Sequence, residues 1–268
     1  MSCPPTENRG GVFAPRLRWR LRRALIRTPA GRRLWWRSRG RDHELDFWTA
    51  WLERRGGKWS EDYARRLGPA PLIEDRLVTD RLDEIDRVEV KILDVGAGPV
   101  TQLGTHYPGK RIQVVPVDPL ADEYERLLSR FGVEPPVRTI KAHGERLLRH
   151  FSPRSFDIAY AVNSIDHSYD PVRIIENMLT VVRPDGVVLL RHRLNEGEHE
   201  RYVGLHQWNF DVRGGDLVVW NHAVTQSLRH ALGTRGDVEA WIEDDIALAR
   251  VTPRSKGGEG APTRELEE

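Results

Sequence analysis

The sequence predicts an α/β fold built on a mostly parallel sheet, and three observations support this. Segments typical of strands alternate with segments typical of helices from Val88 onwards, as in a parallel sheet with crossover helices. The stretch KILDVGAGPVTQLG, Lys91 to Gly104, is an apolar run followed by an acid and two glycines one residue apart, which is typical of a strand that turns into a nucleotide-binding loop. The next strand-like run, RIQVVPVD, ends on Asp118.

The predicted elements of this domain follow in a regular order. Strands are predicted over VEVKILDVG, RIQVVPVD, VRTIKA, SFDIAYAVN and VVLLRHR. A crossover helix over PLADEYERLLSRFG carries its apolar side chains on one face. A second helix over PVRIIENMLTVV has Asp170 as N-cap and Pro171 in its first turn. Beyond the fifth strand, LHQWNFDV and LVVWN form a predicted hairpin, AVTQSLRHAL a helix, and DVEAWIEDD with ALARVTP a terminal strand pair.

Residues 42–87 are predicted to be a helical extension that packs on the sheet domain of residues 88–252. Glycines and prolines break the extension into several helices, and Ser60 stands where it would cap one of them. The first helix presents one apolar face, formed by Phe47, Trp48, Trp51 and Leu52. An aromatic stripe at helical spacing is more often core than ligand contact, so this face is expected to pack on the domain that follows.

Composition restricts the class of protein. The chain has 268 residues, of which 39% are apolar, enough for an ordinary core. Its longest apolar runs fall far short of the ~20 residues of a membrane-spanning helix, and no secretory signal is recognisable. A soluble, cytoplasmic protein is therefore expected. Cys3 is the only cysteine, which excludes an intrachain disulfide and a cysteine-rich zinc site.

The net charge of +2 conceals a strongly basic tail. Residues 1–41 contain 12 arginines and one acid, so this segment is +11 and residues 42–268 are −9. We expect residues 1–41 to be a largely disordered or amphipathic tail and residues 253–268 to be disordered. Residues 16–41 suit peripheral contact with an anionic membrane surface, at up to ~1 kcal/mol per basic residue. A solvated tail, and contact with nucleic acid or another acidic partner, are the alternatives.

The glycine loop does not fit a phosphate-containing ligand. A dinucleotide loop needs a third glycine and free backbone N–H groups for the pyrophosphate. Here Thr101 stands at the third glycine position, and Pro99 removes an N–H group. A P-loop is excluded as well, because no Gly-Lys-Ser or Gly-Lys-Thr completes the motif.

A cationic nucleoside cofactor, S-adenosylmethionine, fits the loop better. Its ammonium and sulfonium groups favour a nearby carboxylate, which Asp94 supplies, and Gly96 and Gly98 allow close backbone approach. Asp118 stands twenty residues after Gly98, at the end of the second strand, where an acid can accept both ribose hydroxyls. Nucleotide-dependent oxidoreductases use the same acid, so Asp94 and Pro99 are what favour S-adenosylmethionine.

Five segments in order resemble the motifs of class I S-adenosylmethionine-dependent methyltransferases: ILDVGAGP, VVPVDPLADEYERLL, KAHGERL, SFDIAYAVNSIDHSYDP and ENMLTVVRPDGVVLLRH. The resemblance covers roughly residues 88–193. It implies a Rossmann-like fold with a mostly parallel seven-stranded sheet, helices on both faces and an antiparallel strand in its final pair. It also implies cofactor contacts for Asp94, Gly96, Ala97, Gly98, Asp118, His143, Gly144, Glu145 and Asn163. His143-Gly144 departs from the usual adenine-contacting pair, an acid or amide followed by Ala, and Glu145 is a nearby alternative.

The acceptor side is predicted from NSIDHSYDP and HQWNF. Methyl transfer to a hydroxyl requires a base, and His167 is the best candidate, with Asp166 orienting it and His206 entering from the insertion. The hairpin around Trp208 is expected to wall the acceptor pocket, with the indole offering a flat face to a sugar ring. No metal is assigned, because a set of Asp166, His167 and His192 matches no established ligand spacing.

These predictions favour a methyltransferase that acts on a hydroxyl of a sugar or small molecule. The N-terminal helices and GLHQWNF also resemble methyltransferases of bacterial cell-surface glycan pathways, which implies a glycan acceptor near the inner membrane face. Two alternatives remain. One is a nucleic-acid methyltransferase held by the basic tail, which the charge of −9 on residues 42–268 disfavours. The other is a non-catalytic protein that binds S-adenosylmethionine.

Overall fold

A computed structural model describes residues 28–254. Residues 1–27 and 255–268 lie outside the described residues, and with them most of the predicted basic tail and of the predicted C-terminal tail. Within residues 28–254, no helix combines the length and apolar character needed to cross a membrane.

One seven-stranded sheet organises the fold. Its strands are β1 Glu89–Val95, β2 Arg111–Asp118, β3 Ile140–Lys141, β4 Phe156–Val162, β5 Val182–Arg193, β9 Gly236–Glu243 and β10 Ile246–Pro253, numbered along the chain. They lie in the order β3-β2-β1-β4-β5-β10-β9. The first five are parallel, and β10 is antiparallel to both of its neighbours. The predicted seven-stranded, mostly parallel sheet of a Rossmann-like methyltransferase fold is confirmed.

A second, smaller sheet contains β6 Asn209–Arg213, β7 Asp216–Trp220 and β8 Thr225–Ser227 in that order. The first two strands form the predicted hairpin. The predicted helix over residues 223–232 is wrong in its first half, because residues 225–227 pair with β7 and the helix begins only at Leu228. Ser227 caps that helix by accepting a hydrogen bond from His230 N at 3.1 Å.

The helices are α1 Pro29–Trp35, α2 Arg41–Glu53, α3 Ser60–Arg66, α4 Arg76–Glu84, α5 Ala121–Phe131, α6 Pro171–Val181, α7 Glu196–His199 and α8 Leu228–Leu232, with a π-helical turn at Trp36–Gly40. Asp170 caps α6 by accepting from Arg173 N at 3.1 Å, as predicted. The prediction that Ser60 caps α3 is wrong. A 3₁₀ turn over Gly57–Trp59 runs directly into the helix, so Ser60 already has helical dihedral angles.

Helices cover both faces of the sheet because successive residues of a strand point to opposite sides. Ile92 of β1 packs in one cluster with Leu82 of α4. Leu93 packs in the opposite cluster with Ile175 of α6 and with Phe210 of the small sheet. The central strands are buried on both faces, as the long apolar runs of a parallel sheet require.

The connection from β1 to β2 contains no helix, although crossover connections in this fold class usually do. Residues 96–110 are turns and irregular structure, because Pro99 and Pro108 and the left-handed Gly104 and Gly109 interrupt helical geometry. The preceding helix α4 packs on this face of the sheet instead. The glycine loop therefore has no helix N-terminus behind it, in agreement with the exclusion of a pyrophosphate ligand.

The N-terminal helices pack on α5 and on the glycine loop. Trp51 and Leu52 of α2 share a buried cluster with Val100 and Leu128. Trp36 is only 8% exposed. Helix α1 and the π-helical turn that contains Trp36 lie before residue 42, so regular structure begins within the segment predicted to be the basic tail. The burial of this aromatic residue against α5 offsets the ordering cost of α1 and the following turn.

Candidate active site

The carboxyl ends of β1, β2 and β4 open into one cleft, and α2 contributes its opposite wall. The cleft has a volume of about 470 Å³, within the usual range of small-molecule sites. Parallel strands bring their carboxyl ends to one edge of the sheet, so residues far apart in sequence meet there. All nine residues predicted to contact the cofactor line the cleft: Asp94, Gly96, Ala97, Gly98, Asp118, His143, Gly144, Glu145 and Asn163.

The floor of the cleft is the glycine loop after β1. Gly96 and Gly98 have φ angles of 77° and 67°, which glycine adopts without a steric penalty. A Cβ atom on Gly96 would lie 2.4 Å from the Cβ of Ser164, and one on Gly98 would lie 2.7 Å from Cζ2 of Trp48. The loop backbone is therefore tightly enclosed between β4 and α2, and neither glycine can be replaced without movement.

Asp94 lies beneath the loop and is 1% exposed. Its Oδ2 accepts a hydrogen bond of 2.6 Å from Thr101 Oγ1, which in turn accepts from Leu103 N at 3.1 Å. Burial raises the pKa of Asp94 to about 6, although the hydrogen bond from Thr101 and the charge of Arg66 oppose the shift. Thr101, which breaks the dinucleotide pattern, thus fixes the carboxyl group predicted to face the methionyl end.

Asp118 ends β2 and bridges two backbone segments. Its Oδ1 accepts from Leu120 N at 2.8 Å and its Oδ2 from Gly98 N at 3.3 Å. Burial raises its pKa to about 7. The two backbone hydrogen bonds lower the pKa, and the charges of Glu44 and Asp94 raise it further. Its position at the end of β2 is the one expected for an acid that accepts ribose hydroxyls.

His143, Gly144 and Glu145 form the end of the cleft predicted for adenine. His143 makes an edge-to-face contact with Trp36, with ring centroids 5.2 Å apart. Burial, followed by nearby arginines and Lys141, lowers its pKa to about 4, so the ring is neutral at physiological pH. Glu145 accepts a 3.1 Å hydrogen bond from Tyr169 N, and burial raises its pKa to about 7. The aromatic and apolar surfaces here suit a flat heterocycle.

Asn163 lines the cleft, but its side-chain oxygen is engaged elsewhere. The Oδ1 atom accepts from Arg193 N at 2.9 Å, while Asn163 N donates to Arg191 O at 2.9 Å. Its φ of 40° is one that asparagine tolerates better than most residues. Asn163 therefore ties the end of β4 to β5. The prediction that it contacts the cofactor stays a prediction.

Helix α2 supplies two side chains that the sequence analysis did not assign to the site. Trp48 lies against Gly98, and its Nε1 donates to Glu44 Oε1 at 2.7 Å. The other oxygen, Glu44 Oε2, lies 3.3 Å from His167 Nδ1. The spacing of four residues between Glu44 and Trp48 places both on one helical face, a pattern that was visible in the sequence.

Asp166, His167 and His206 meet beside the cleft and form what we call the histidine cluster. His206 Nδ1 donates to Asp166 Oδ2 at 2.8 Å. His167 Nε2 lies 3.1 Å from His206 Nδ1 and 3.5 Å from Asp166 Oδ2. Only His167 of the three reaches the cleft wall, so it is the member that can meet an acceptor.

Charge within the histidine cluster keeps Asp166 ionised. Burial alone would raise the pKa of Asp166, but His167, His206 and His192 together lower it to about 2. Burial lowers the pKa of His206, and its hydrogen bond to Asp166 and the charge of this carboxylate outweigh that effect, so the pKa is raised. Burial lowers the pKa of His192 to about 4, and this residue is neutral.

Trp208 does not face the acceptor side, contrary to the prediction. Its side chain is fully buried, and its Nε1 donates to Ser168 O at 3.0 Å. The indole instead anchors the segment that carries His206. Leu205, from the same segment, lines the cleft, so the insertion does contribute to its wall.

Comparison with known proteins identifies the domain that contains this cleft. Residues 93–190 match the family described as methyltransferase domain. The chain therefore contains a methyltransferase domain in these residues. The methyltransferase uses S-adenosylmethionine as its cofactor, so the predicted enzyme class and cofactor are confirmed. No curated protein matched the sequence.

Three solved structures that are similar to the methyltransferase are distant from it in sequence. Burkholderia thailandensis 1,6-didemethyltoxoflavin-N1-methyltransferase, with 1,6-didemethyltoxoflavin and S-adenosylhomocysteine bound, is 17% identical; the match covers 94% of each chain with a TM-score of 0.42. An Aquifex aeolicus methyltransferase is 10% identical over 76% of this chain and 96% of that one, with a TM-score of 0.41. A Clostridium acetobutylicum methyltransferase is 10% identical over 67% of this chain and 90% of that one, with a TM-score of 0.39.

The residues of the cleft fit S-adenosylmethionine. Two buried carboxyl groups, Asp94 and Asp118, suit a cation and a ribose diol. Pro99 and the absence of a helix after the glycine loop do not suit a pyrophosphate, which needs backbone N–H groups and a helix N-terminus. A loop with two left-handed glycines allows close backbone approach. Bound there, the cofactor supplies a methyl group on a cationic sulfur. The contacts of individual residues with the cofactor stay predictions.

Proposed function

We propose that the methyltransferase acts on a hydroxyl group of a sugar or another small-molecule acceptor, with His167 as the base. One observation carries the proposal: an imidazole on the cleft wall has a carboxylate near each of its two ring nitrogens. Nδ1 lies 3.3 Å from Glu44 Oε2, and Nε2 lies 3.5 Å from Asp166 Oδ2. An acceptor hydroxyl must lose a proton during transfer, and a positioned imidazole is suited to take it.

The two carboxylates stabilise the imidazolium that forms. Whichever nitrogen of His167 takes the proton, the cation then lies between Asp166 and Glu44, and nearby negative charge favours the protonated form. His206 donates to Asp166 at 2.8 Å and holds this carboxylate in place. His167 and Asp166 thus have the relation of a base and its orienting acid.

The mouth of the cleft supports a sugar or another flat acceptor. Phe47 and Trp59 line it and are 41% and 47% exposed, with ring centroids 6.0 Å apart. Exposed aromatic rings of this kind provide apolar faces against which a sugar ring packs. Most of the remaining catalysis is alignment of the acceptor oxygen with the methyl carbon.

The proposal extends to the place where the acceptor is met. The basic residues of segment 16–41 would hold the enzyme at an anionic membrane surface, on its cytoplasmic face, close to lipid-linked glycan precursors. Within the described part of this segment, Arg33, Leu34 and Arg37 are exposed, as contact with headgroups requires. A glycan acceptor and a membrane contact would then be two aspects of one function.

Turnover of a panel of sugars and small hydroxyl compounds tests the base. We expect His167→Ala to lower kcat by about 100-fold or more, while calorimetry shows an S-adenosylmethionine affinity within about twofold of wild type. His199→Ala, which removes an exposed histidine of α7, is the matched control and should leave kcat unchanged. Unchanged turnover by His167→Ala would remove the base assignment. Absence of methylation on every hydroxyl acceptor would remove the acceptor class.

A further inference from the structure

The histidine cluster has the geometry of a metal site. Its three ligand atoms, Asp166 Oδ2, His167 Nε2 and His206 Nδ1, are separated by 2.8, 3.1 and 3.5 Å, and within the described residues this is the group whose atoms converge closely enough to hold an ion. Transition-metal ions bind nitrogen and carboxylate oxygen at about 2.0–2.2 Å. Ligands at that distance lie about 2.8–3.1 Å apart at right angles and about 3.3–3.6 Å apart at tetrahedral angles. All three separations fall within or next to these ranges.

The surroundings of His167 match those of a metal ligand. A histidine that binds a metal through one nitrogen usually donates its other N–H group to a carboxylate, which fixes the ring. His167 has this arrangement, because Nε2 belongs to the triangle of ligand atoms while Nδ1 lies 3.3 Å from Glu44 Oε2. The second carboxylate therefore has a defined role at a metal site.

A buried histidine near the cluster, His192, lies outside the three converging ligands. His192 is 1% exposed, and neither of its ring nitrogens has a hydrogen-bond partner. It stacks on Phe210 with centroids 4.3 Å apart and lies close enough to experience the charges of Asp166 and His167. An unpartnered buried imidazole is costly, and this neutral ring adds no positive charge that would oppose a cation at the cluster.

We propose that Asp166, His167 and His206 bind one divalent transition-metal ion, such as Zn²⁺, Mn²⁺ or Co²⁺. Two imidazole nitrogens and one carboxylate favour these ions over Mg²⁺ and Ca²⁺, which prefer oxygen. His206 follows Asp166 by forty residues, so sequence spacing could not reveal the set. The earlier grouping of His192 with Asp166 and His167 omitted the histidine that closes the triangle.

A role for the ion rests on the proposed function. With the ion bound, His167 is a ligand and no longer a free base. The ion would bind the acceptor oxygen beside the cleft and lower the pKa of its hydroxyl, whose proton leaves to solvent. In the metal-free enzyme, His167 would take the proton of the acceptor hydroxyl. In the metal-loaded enzyme, the same three side chains would hold the ion that lowers the pKa of that hydroxyl.

Metal binding to the full chain is the test. The protein is stripped with a chelator, dialysed against Zn²⁺, Mn²⁺ or Co²⁺ in turn, and analysed for bound metal by mass spectrometry. We expect about one equivalent per wild-type chain and about the same for His199→Ala. Asp166→Asn and His206→Gln should each fall below about a tenth of an equivalent, since each removes one of the three ligands.

Two further measurements keep the test decisive if a variant fails to fold. The Co²⁺ form should show absorption bands of nitrogen and oxygen ligation without a thiolate band, which separates the cluster from Cys3. The wild-type melting temperature should rise with added metal, because the folded cluster binds the ion. Wild type that binds less than about a tenth of an equivalent, or variants that bind as well as wild type, would overturn the site.

The outcomes also separate the two proposals. Metal binding without methylation of any hydroxyl acceptor leaves the site intact and refutes the proposed function. Methylation that persists after chelation, in a protein that binds no metal, refutes the site and leaves His167 as the base.

Discussion

Cofactor affinity should weaken when the pH falls from 7 to 6, because the empty site takes up a proton on Asp118. The raised pKa, about 7, means that about half of the ligand-free molecules carry an ionised Asp118 at pH 7 and about a tenth at pH 6. A carboxylate accepts both ribose hydroxyls, whereas the protonated group does not. If binding requires the ionised form, S-adenosylmethionine affinity falls about fivefold, or about 1 kcal/mol.

Asp94 adds to this loss in the same direction. Its pKa of about 6 leaves it about nine-tenths ionised at pH 7 and half ionised at pH 6, a further factor of about two. His143, with a pKa of about 4, stays neutral over this interval. The amino group of the cofactor, with an ordinary pKa of about 8, stays largely protonated below pH 7. From Asp94 and Asp118 the expected total is therefore about tenfold. Glu145 also has a pKa of about 7 and titrates over the same interval, so the measurement is made with Glu145→Gln, which removes that titration.

Calorimetry at pH 6 and 7, at constant ionic strength, measures the effect. At pH 7 binding should also release about half a proton from Asp118, which is detected by repeating the titration in buffers of different ionisation enthalpy. Asp118→Asn, combined with Glu145→Gln, is the control: it should bind weakly at both pH values, with only the twofold dependence due to Asp94. The assignment of Asp118 is refuted if the affinity of Glu145→Gln changes by less than about twofold, or if the double variant retains the full dependence.

Two other predictions concern the loop and the tail. Gly98→Ala should cost about 1–2 kcal/mol of unfolding free energy and lower S-adenosylmethionine affinity severalfold, because its Cβ would lie 2.7 Å from Trp48. Gly132→Ala has a similar φ of 64° but nothing within 4 Å of the added carbon. It should therefore show a smaller loss of stability in denaturant titrations and normal affinity, and equal affinity losses would contradict the argument. The full chain should cosediment with vesicles rich in anionic lipid, less so at high salt, and not with neutral vesicles. Replacement of Arg18, Arg20, Arg22 and Arg23 by glutamate should abolish this, and persistent binding would refute the role of the tail.

The sequence predicts the cofactor side of the cleft well because local pattern and topology agree there. β1, β2 and β4 were predicted to within about two residues, since buried parallel strands are continuous apolar runs with turn residues at their ends. Once those strands are parallel, Asp94, Asp118 and Asn163 must come to one edge of the sheet. No packing information is needed for that step.

The residues that the sequence did not assign come from contacts between distant segments. Glu44 and Trp48 form part of the cleft only because α2 packs on α5 and on the loop, which no local pattern specifies. The short strand β8 appears inside a helix-like segment because Thr225 and Ser227 pair with β7, so tertiary pairing overrides local propensity. His206 joins Asp166 through an insertion whose position depends on the buried Trp208.

The placement of Glu44 brings the N-terminal helices to the proposed acceptor site, which their sequence alone did not indicate. One oxygen of Glu44 accepts a hydrogen bond from Trp48 of the same helix, whose indole packs against the glycine loop. The other oxygen lies beside His167 of the histidine cluster. Trp48 thus lies between Gly98, where the cofactor is predicted to bind, and the carboxylate that faces His167. Helix α2 therefore links the cofactor loop directly to the group proposed to activate the acceptor, although it lies outside residues 93–190. A methyltransferase domain without this helix would retain the acids and glycines of the cofactor site but lack the carboxylate on the cleft side of His167.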